Sequence, residues 1–244
     1  MAILVFLKKL HDQLLPLVVS LRFDKHSPLH FHQVALYGTL LELTHGILVL
    51  IDKDARVGVP SLFRSILEAS VELRNLQRDA SYIENMSAAY VKQWLALLKE
   101  AKKGTNPYLA ELASLPNIDS HIAEADSKLQ TLMEKGKKPL IIFERFERAG
   151  MLDEYRSMYN DLSCDAHSNT RALISRHVEF SSDDFAVVYY KDEPVDTLIA
   201  ELDSTAGLLI EASLSVHVAF QSDVIKQVHA LHDELCAIRA SYVT

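Results

Sequence analysis

Turn residues are scarce in this chain: seven glycines and seven prolines in 244 residues. A many-stranded sheet needs frequent turns, so that scarcity argues for long helices. Cysteine is nearly absent too. Cys164 and Cys236 cannot make a disulfide framework, and a reduced, cytoplasmic setting is the expectation. Basic surplus is missing: the net charge is -8, so the surface on average repels phosphate backbones. The only basic runs, "KEAKKG" at 99–104 and "KGKKP" at 135–139, sit at expected helix C-termini, where lysine complements the dipole. No G-x-G-x-x-G and no G-x4-G-K-[ST] occurs, which leaves no usual nucleotide-cofactor loop. No uninterrupted apolar run approaches the roughly 18 residues that span a bilayer. The opening "MAILVFLKKL" puts its apolar residues ahead of its lysines, the reverse of a signal peptide. No membrane association is expected.

What is present is amphipathic periodicity. The apolar share is 49%, enough in a chain of this length for a substantial core. Helices are predicted over 2–22 with a kink at Pro16, and from Ser27 as N-cap to about Ile51. Others run from Pro60 to Arg78 and from Ser81 to Lys103. The segment 106–135 gives a short and a longer helix, and "LIIFERFERAG" gives one closed by Gly150. A single helix is predicted for 151–176. "HVEFSSDDFAVVYYKDEP" then changes period and reads as a hairpin near 177–190, which should pack on the helices because an isolated hairpin is marginal. Residues 194–243 return to helical spacing with a weak point at Gly207. The expected fold is all-α, a single domain over 1–244 of about eight helices with one small β-hairpin insertion.

One stretch concentrates chemistry. In "YNDLSCDAHSNTR", Tyr159, Ser163, His167 and Arg171 recur every four residues. On a straight helix each step advances about 40°. With Tyr159 as zero, Leu152, Tyr155, Leu162, Ala166 and Leu173 lie within about 60° of it, so Tyr159 faces the core and Arg171 the solvent. Such a ladder suits a crevice wall, and it equally suits a hydrogen-bonded polar seam between helices. The expected partner is the helix of "SLFRSILEASVELRN". Leu62, Ile66, Ala69, Leu73 and Leu76 mark one face, and Arg64, Glu68 and Asn75 lie opposite, beside Leu67 and Val71. Packing on both sides would leave Arg64 and Glu68 in a groove. As an enzyme, His167 would move a proton, Arg171 or Arg64 would hold an anion, and Tyr159 or Glu68 would orient the imidazole. Ser163 lacks the glycine turn of a nucleophile elbow.

The pairing of Arg64-x3-Glu68 with Tyr159-x2-Leu162-Ser163-x3-His167 resembles an uncharacterised bacterial all-helical family, a domain of unknown function. That resemblance implies a layout shared over residues 30–240 and a common site, without defining a reaction. The architecture also resembles, distantly, the HEPN group of RNA-binding and RNA-cleaving domains. This implies RNA as a partner and metal-independent cleavage, in a defence or toxin setting. Arg171-x5-His177 formally fits the HEPN Arg-x4-6-His motif, a spacing that chance supplies about once in such a chain. The histidine groups His26, His30, His32 and His229, His232, Asp233 read as solvated or capping residues, and no metal or cofactor is expected. The alternative to RNA is a non-enzymatic interaction module with a structural ladder. It could form a homodimer through the apolar C-terminal helices, whose residues a buried core helix explains equally well.

Overall fold

Residues 1–166, 169–191 and 194–242 are described by a computed structural model, with the backbone alone for 164–166. Helix α1 (Ala2–Leu14) gives way at Leu15 to a 3-10 turn containing Pro16, as the missing N–H of proline requires. Its Ile3, Phe6, Leu7 and Leu10 are buried. Helix α2 (Pro28–Asp52) starts where the Ser27 hydroxyl accepts the His30 N–H at 3.4 Å. It lies along α3 (Val59–Arg78), and Gly46 permits close approach, since a Cβ there would stand 3.0 Å from Leu62 Cδ1.

An 18-residue window of α2 has a mean hydropathy of 1.8, long and apolar enough by length and composition to cross a bilayer. No unbroken apolar run of that length stands there, because Thr39, Glu42, Thr44 and His45 interrupt α2 without making it polar on average. In this fold 39% of that window is buried, and core helices of globular proteins pass the same test.

Helix α4 (Tyr82–Lys102), the short α5 (Ala110–Ala113) and α6 (Ile118–Glu134) build a satellite core around Val91, Leu95, Leu98 and Ala125. Ion pairs Lys99–Asp126 and Lys102–Asp119 flank it, so two lysines of the basic run meet α6, while Lys103 pairs with Glu100 of α4. Helix α7 (Ile142–Ala149) ends at Gly150, whose φ of 71° favours glycine. A Cβ there would also stand 2.5 Å from Arg78 Nη1.

The stretch predicted as one helix is two. Helix α8 (Leu152–Glu154) runs through a π turn (Tyr155–Tyr159) into α9 (Asn160–Ala166). A new helix, α10 (Thr170–His177), starts at Asn169, whose side chain accepts the Ala172 N–H at 3.0 Å. The π turn rotates later side chains away from a straight projection, and Asn169 restarts the helix. Leu173 is accordingly 47% exposed, where the projection put it in the core.

Strands β1 (Val178–Phe180) and β2 (Phe185–Val187) pair antiparallel, with Val178 opposite Val187 and Phe180 opposite Phe185. The second strand stops short of Tyr190, which has a φ of 55°. Contrary to expectation, the hairpin does not bury its apolar residues on the helices: Phe180 is 74% exposed, Phe185 58% and Val187 59%. Helix α11 (Ile199–Ala219) passes through Gly207 without a break, and a side chain there would meet Arg239 Nη2 of α12 (Ile225–Ala240) at 2.9 Å. The architecture is all-α with one small hairpin. The main core gathers α1, α2, α3, α7, α9, α11 and α12, and α3 runs through its middle.

Candidate functional site

Helix α3 is packed on two sides. Ile66 and Leu73 are buried, and so are Leu67, Val71 and Asn75 on the opposite arc. Between those apolar positions its polar residues meet α9, α7 and α4. Tyr159 sits at the end of the π turn, 4% exposed, with its ring 4.9 Å from that of Phe146 and stacked on that of Tyr155 at 5.5 Å. Its hydroxyl accepts from Arg64 Nη2 at 2.9 Å and donates to Glu68 Oε1 at 2.8 Å. Arg64 Nε lies 3.2 Å from the same carboxylate oxygen, and the guanidinium carbon sits 5.0 Å from the Tyr159 ring centre. The Arg64 and Glu68 side chains are 21% and 41% exposed, so this triad has a buried floor and a wet rim.

Burial pushes the Tyr159 phenol above its ordinary value, and the hydrogen bond to Glu68 pushes it further the same way. Burial opposes the charge on Arg64, yet its bonds to Tyr159 and the Glu68 charge hold its pKa above the usual one. A phenol that keeps its proton, already donates it and already accepts from a cation has little to offer as base or nucleophile.

The other ladder residues separate. Ser163 is half-buried on α9. Arg171 belongs to α10, is 74% exposed, and pairs through Nη1 with Asp161 at 2.7 Å. His167 lies outside the described residues. The predicted meeting of Arg64, Glu68 and Tyr159 is thus present, whereas Arg171 starts a separate helix. His177, partner of Arg171 in the Arg-x5-His spacing, directs Nδ1 at the Val188 carbonyl at 3.1 Å. A carbonyl only accepts, so Nδ1 carries the proton in that contact.

Spacing beyond Glu68 held more than the sequence reading drew from it. Four residues on, Glu72 accepts from Arg145 Nη1 at 2.9 Å and from the Tyr82 hydroxyl at 2.6 Å. Asn75 Nδ2 donates to the Arg145 carbonyl at 2.9 Å, and Arg78 Nη1 to the Ala149 carbonyl at 2.7 Å. Arg148 binds Asp79. Burial first, then the Glu72 charge, drives the Tyr82 phenol well above its usual range. On the α11 side, Arg74 grips Glu211 through Nε at 2.8 Å and Nη2 at 2.5 Å. The candidate site is one end of a polar seam along α3, and the continued interval 64, 68, 72 was the signal for it. Among the described residues no three His, Cys, Asp or Glu side chains converge as a metal site.

Over residues 30–186 the chain matches the family of unknown function DUF5677, and it belongs to that family. The matched span contains both helices of the triad and ends inside the hairpin, leaving α11 and α12 outside. No curated protein and no solved structure gives a significant match.

Proposed function

We propose that this member of DUF5677 is a non-enzymatic helical interaction module, in which the α10–hairpin arm docks on a second copy of the chain. The observation that carries the reading is the uncovered face of the arm. In the observed register Val178, Phe180, Phe185 and Val187 project from one side of the hairpin. Phe180, Phe185 and Val187 are exposed, as are Tyr189 and Tyr190 beyond them and Leu173 and Ile174 on α10. A two-stranded hairpin is marginal alone, and exposed apolar side chains gathered on one face of it are the kind of surface that marks an interaction site.

Self-association fits the arm's own polarity. Asp183 and Asp184 form its tip, and Arg176, His177 and Lys191 flank its base. A twofold axis through two antiparallel hairpins would lay each acidic tip beside the other basic base. Four aromatic side chains of about 150–250 Å² each supply several hundred Å² per copy, the order of the ~800 Å² of a standard interface. The apolar C-terminal helices support that role less, because Leu202, Ala206, Leu209, Ile210 and Val216 of α11 are buried in the chain's own core. Sedimentation equilibrium should give a dimer mass at micromolar concentration, and Phe180→Ser with Phe185→Ser should give a monomer. A monomer at about 100 µM wild-type protein would overturn the reading.

A HEPN-like protein that binds or cleaves RNA is the second reading. It is favoured by Tyr189 and Tyr190, whose rings are exposed beside Lys191 and Arg176, the pairing of stacking faces and cations that single strands use. Incubating total RNA with wild type and His167→Ala separates the two. Cleavage lost in a variant of unchanged melting temperature would establish chemistry at His167.

A further inference from the structure

The segment before α2 meets the turn between α11 and α12. Ser20 and Ser222 clip the two together with their hydroxyl oxygens 3.1 Å apart, and Leu21 is buried beside them. Between the segments lies an open hollow of about 450 Å³, lined by Arg22, Phe23, Asp24, His30, Phe220 and Gln221. That volume lies within the range of small-molecule sites.

The lining is fixed by its own bonds. The Asp24 N–H donates to His30 Nδ1 at 3.3 Å, so a neutral His30 ring must carry its proton on Nε2. The Asp24 carboxylate accepts the His26 N–H at 2.8 Å, and the His30 N–H is held by Ser27. Phe220 meets His30 edge-on at 5.1 Å and Phe23 at 5.9 Å, which makes one aromatic wall from both segments. Gln221 holds a φ of 50°, a left-handed conformation uncommon for a residue other than glycine, at the rim of this wall. Arg22 is exposed and has no ion pair among the described residues.

We propose that this hollow binds a small anion whose single phosphate or carboxylate is carried on a planar ring. Arg22 supplies the planar fork that such an oxyanion matches, and His30 Nε2–H a second donor. Phe23 and Phe220 take the ring face. The Asp24 carboxylate on the lining limits the charge that the site accepts, which selects one anionic group over a polyanion.

The test is titration of the full chain, followed by the proton and nitrogen resonances of the His30 ring. Probes are adenosine monophosphate and benzoate as ring-bearing anions, with adenosine and inorganic phosphate as the two halves alone. Saturable shifts at His30 with either ring-bearing anion, at least tenfold tighter than with either half, are expected. Which of the two binds assigns phosphate or carboxylate. Arg22→Gln, an exposed change that spares the core, should weaken binding at least tenfold, and Phe220→Leu should weaken the ring-bearing probes alone. Equal binding of phosphate and adenosine monophosphate would remove the aromatic wall from the site. Equal binding of adenosine and adenosine monophosphate would remove Arg22 and His30 from it. No shift at His30 with any probe at millimolar concentration overturns the proposal.

Discussion

The α3 seam and the α10–hairpin arm place their chemistry in opposite ways. Along α3, polar groups enter the interior and meet partners: Arg64 and Glu68 on Tyr159, Glu72 on Arg145 and Tyr82, Arg78 on the Ala149 carbonyl. On the arm, apolar side chains stay largely in water: Phe180, Phe185, Val187, Tyr189 and Tyr190 are each more than half exposed. Buried polar groups are kept where they are bonded, because an unmade bond costs more than a made one returns. Apolar side chains gain by leaving water, and these five of the hairpin segment forgo most of that gain within one chain. Along the seam the polar groups are bonded within the chain, and on the arm the proposed association would find its gain.

The seam should break hardest at its most enclosed carboxylate. Glu72 serves Arg145 and Tyr82 at once, and its side chain is 14% exposed. Glu72→Ala strands both partners and should cost about 3 kcal/mol. In a chain of this size that lowers the melting temperature by roughly 6–12 °C by calorimetry. A loss below about 1 kcal/mol would reduce the seam to surface decoration and return its other end, the Tyr159 triad, to candidacy as a site.

One buried polar group sharpens the rule by departing from it. His217 on α11 is fully buried, edge-on to Tyr37 at 6.0 Å, and neither ring nitrogen has a hydrogen-bond partner among the described residues. Burial pushes its pKa below the ordinary value. Tyr37, its own phenol pushed up to about 12 mainly by burial, stays neutral throughout. Above about pH 6.5 the imidazole is neutral in both folded and unfolded chains and adds no pH dependence. As the pH falls below that value the unfolded chain takes the proton and the folded one resists. Stability should then drop by up to about 1.4 kcal/mol per pH unit until the folded ring itself protonates. Urea denaturation of wild type and His217→Leu at pH 7.5 and 5.5 checks the sign: the variant should lose part of that slope.

Smaller still is the effect expected at the triad. Tyr159→Phe keeps the ring contacts with Phe146 and Tyr155 and deletes only the hydroxyl shared by Arg64 and Glu68. Those two remain each other's neighbours at the wet rim, so about 1 kcal/mol should be lost in thermal melts. An unchanged melting temperature together with a lost RNA activity would reverse the assignment of seam and site.

How far the sequence could have told this depends on periodicity surviving in the backbone. Where helices are regular, as in α2 and α3, caps and apolar spacing place Ser27, Leu67 and Val71 correctly, and even the two-sided packing of α3 is legible. The Arg64–Glu68–Tyr159 meeting is legible too, because Tyr159 closes the π turn and precedes the fresh cap at Asn169. Leu173 departs from its projected core position, and Arg171 keeps its solvent exposure but stands on a separate helix, because a π turn and a fresh cap at Asn169 leave no trace in hydrophobic spacing. His167 falls outside the described residues. Glu72 extends the Arg64–Glu68 stripe by one turn, and spacing alone does not name Arg145 of α7 as its partner. The exposed hairpin was invisible in kind: alternating Val, Glu and Phe reads as half-buried whether a helix or a second molecule covers it.

That last ambiguity is what paired substitutions on the arm resolve. Phe180 and Phe185 face each other across the two strands and are largely in water, so exchanging both for serine removes almost no burial within one chain. Monomer stability should therefore change by less than about 0.5 kcal/mol, measured by denaturation at a concentration low enough to dissociate any assembly. The mass at high concentration should halve. If the aromatics instead lay against their own helices in solution, the same exchange would cost about 2 kcal/mol or more and leave the mass unchanged. Asp183→Lys with Asp184→Lys adds the finer distinction. A twofold pairing of tip with base predicts weakened self-association, with partial recovery on Arg176→Glu and Lys191→Glu in the same chain. A merely sticky apolar patch predicts no such recovery.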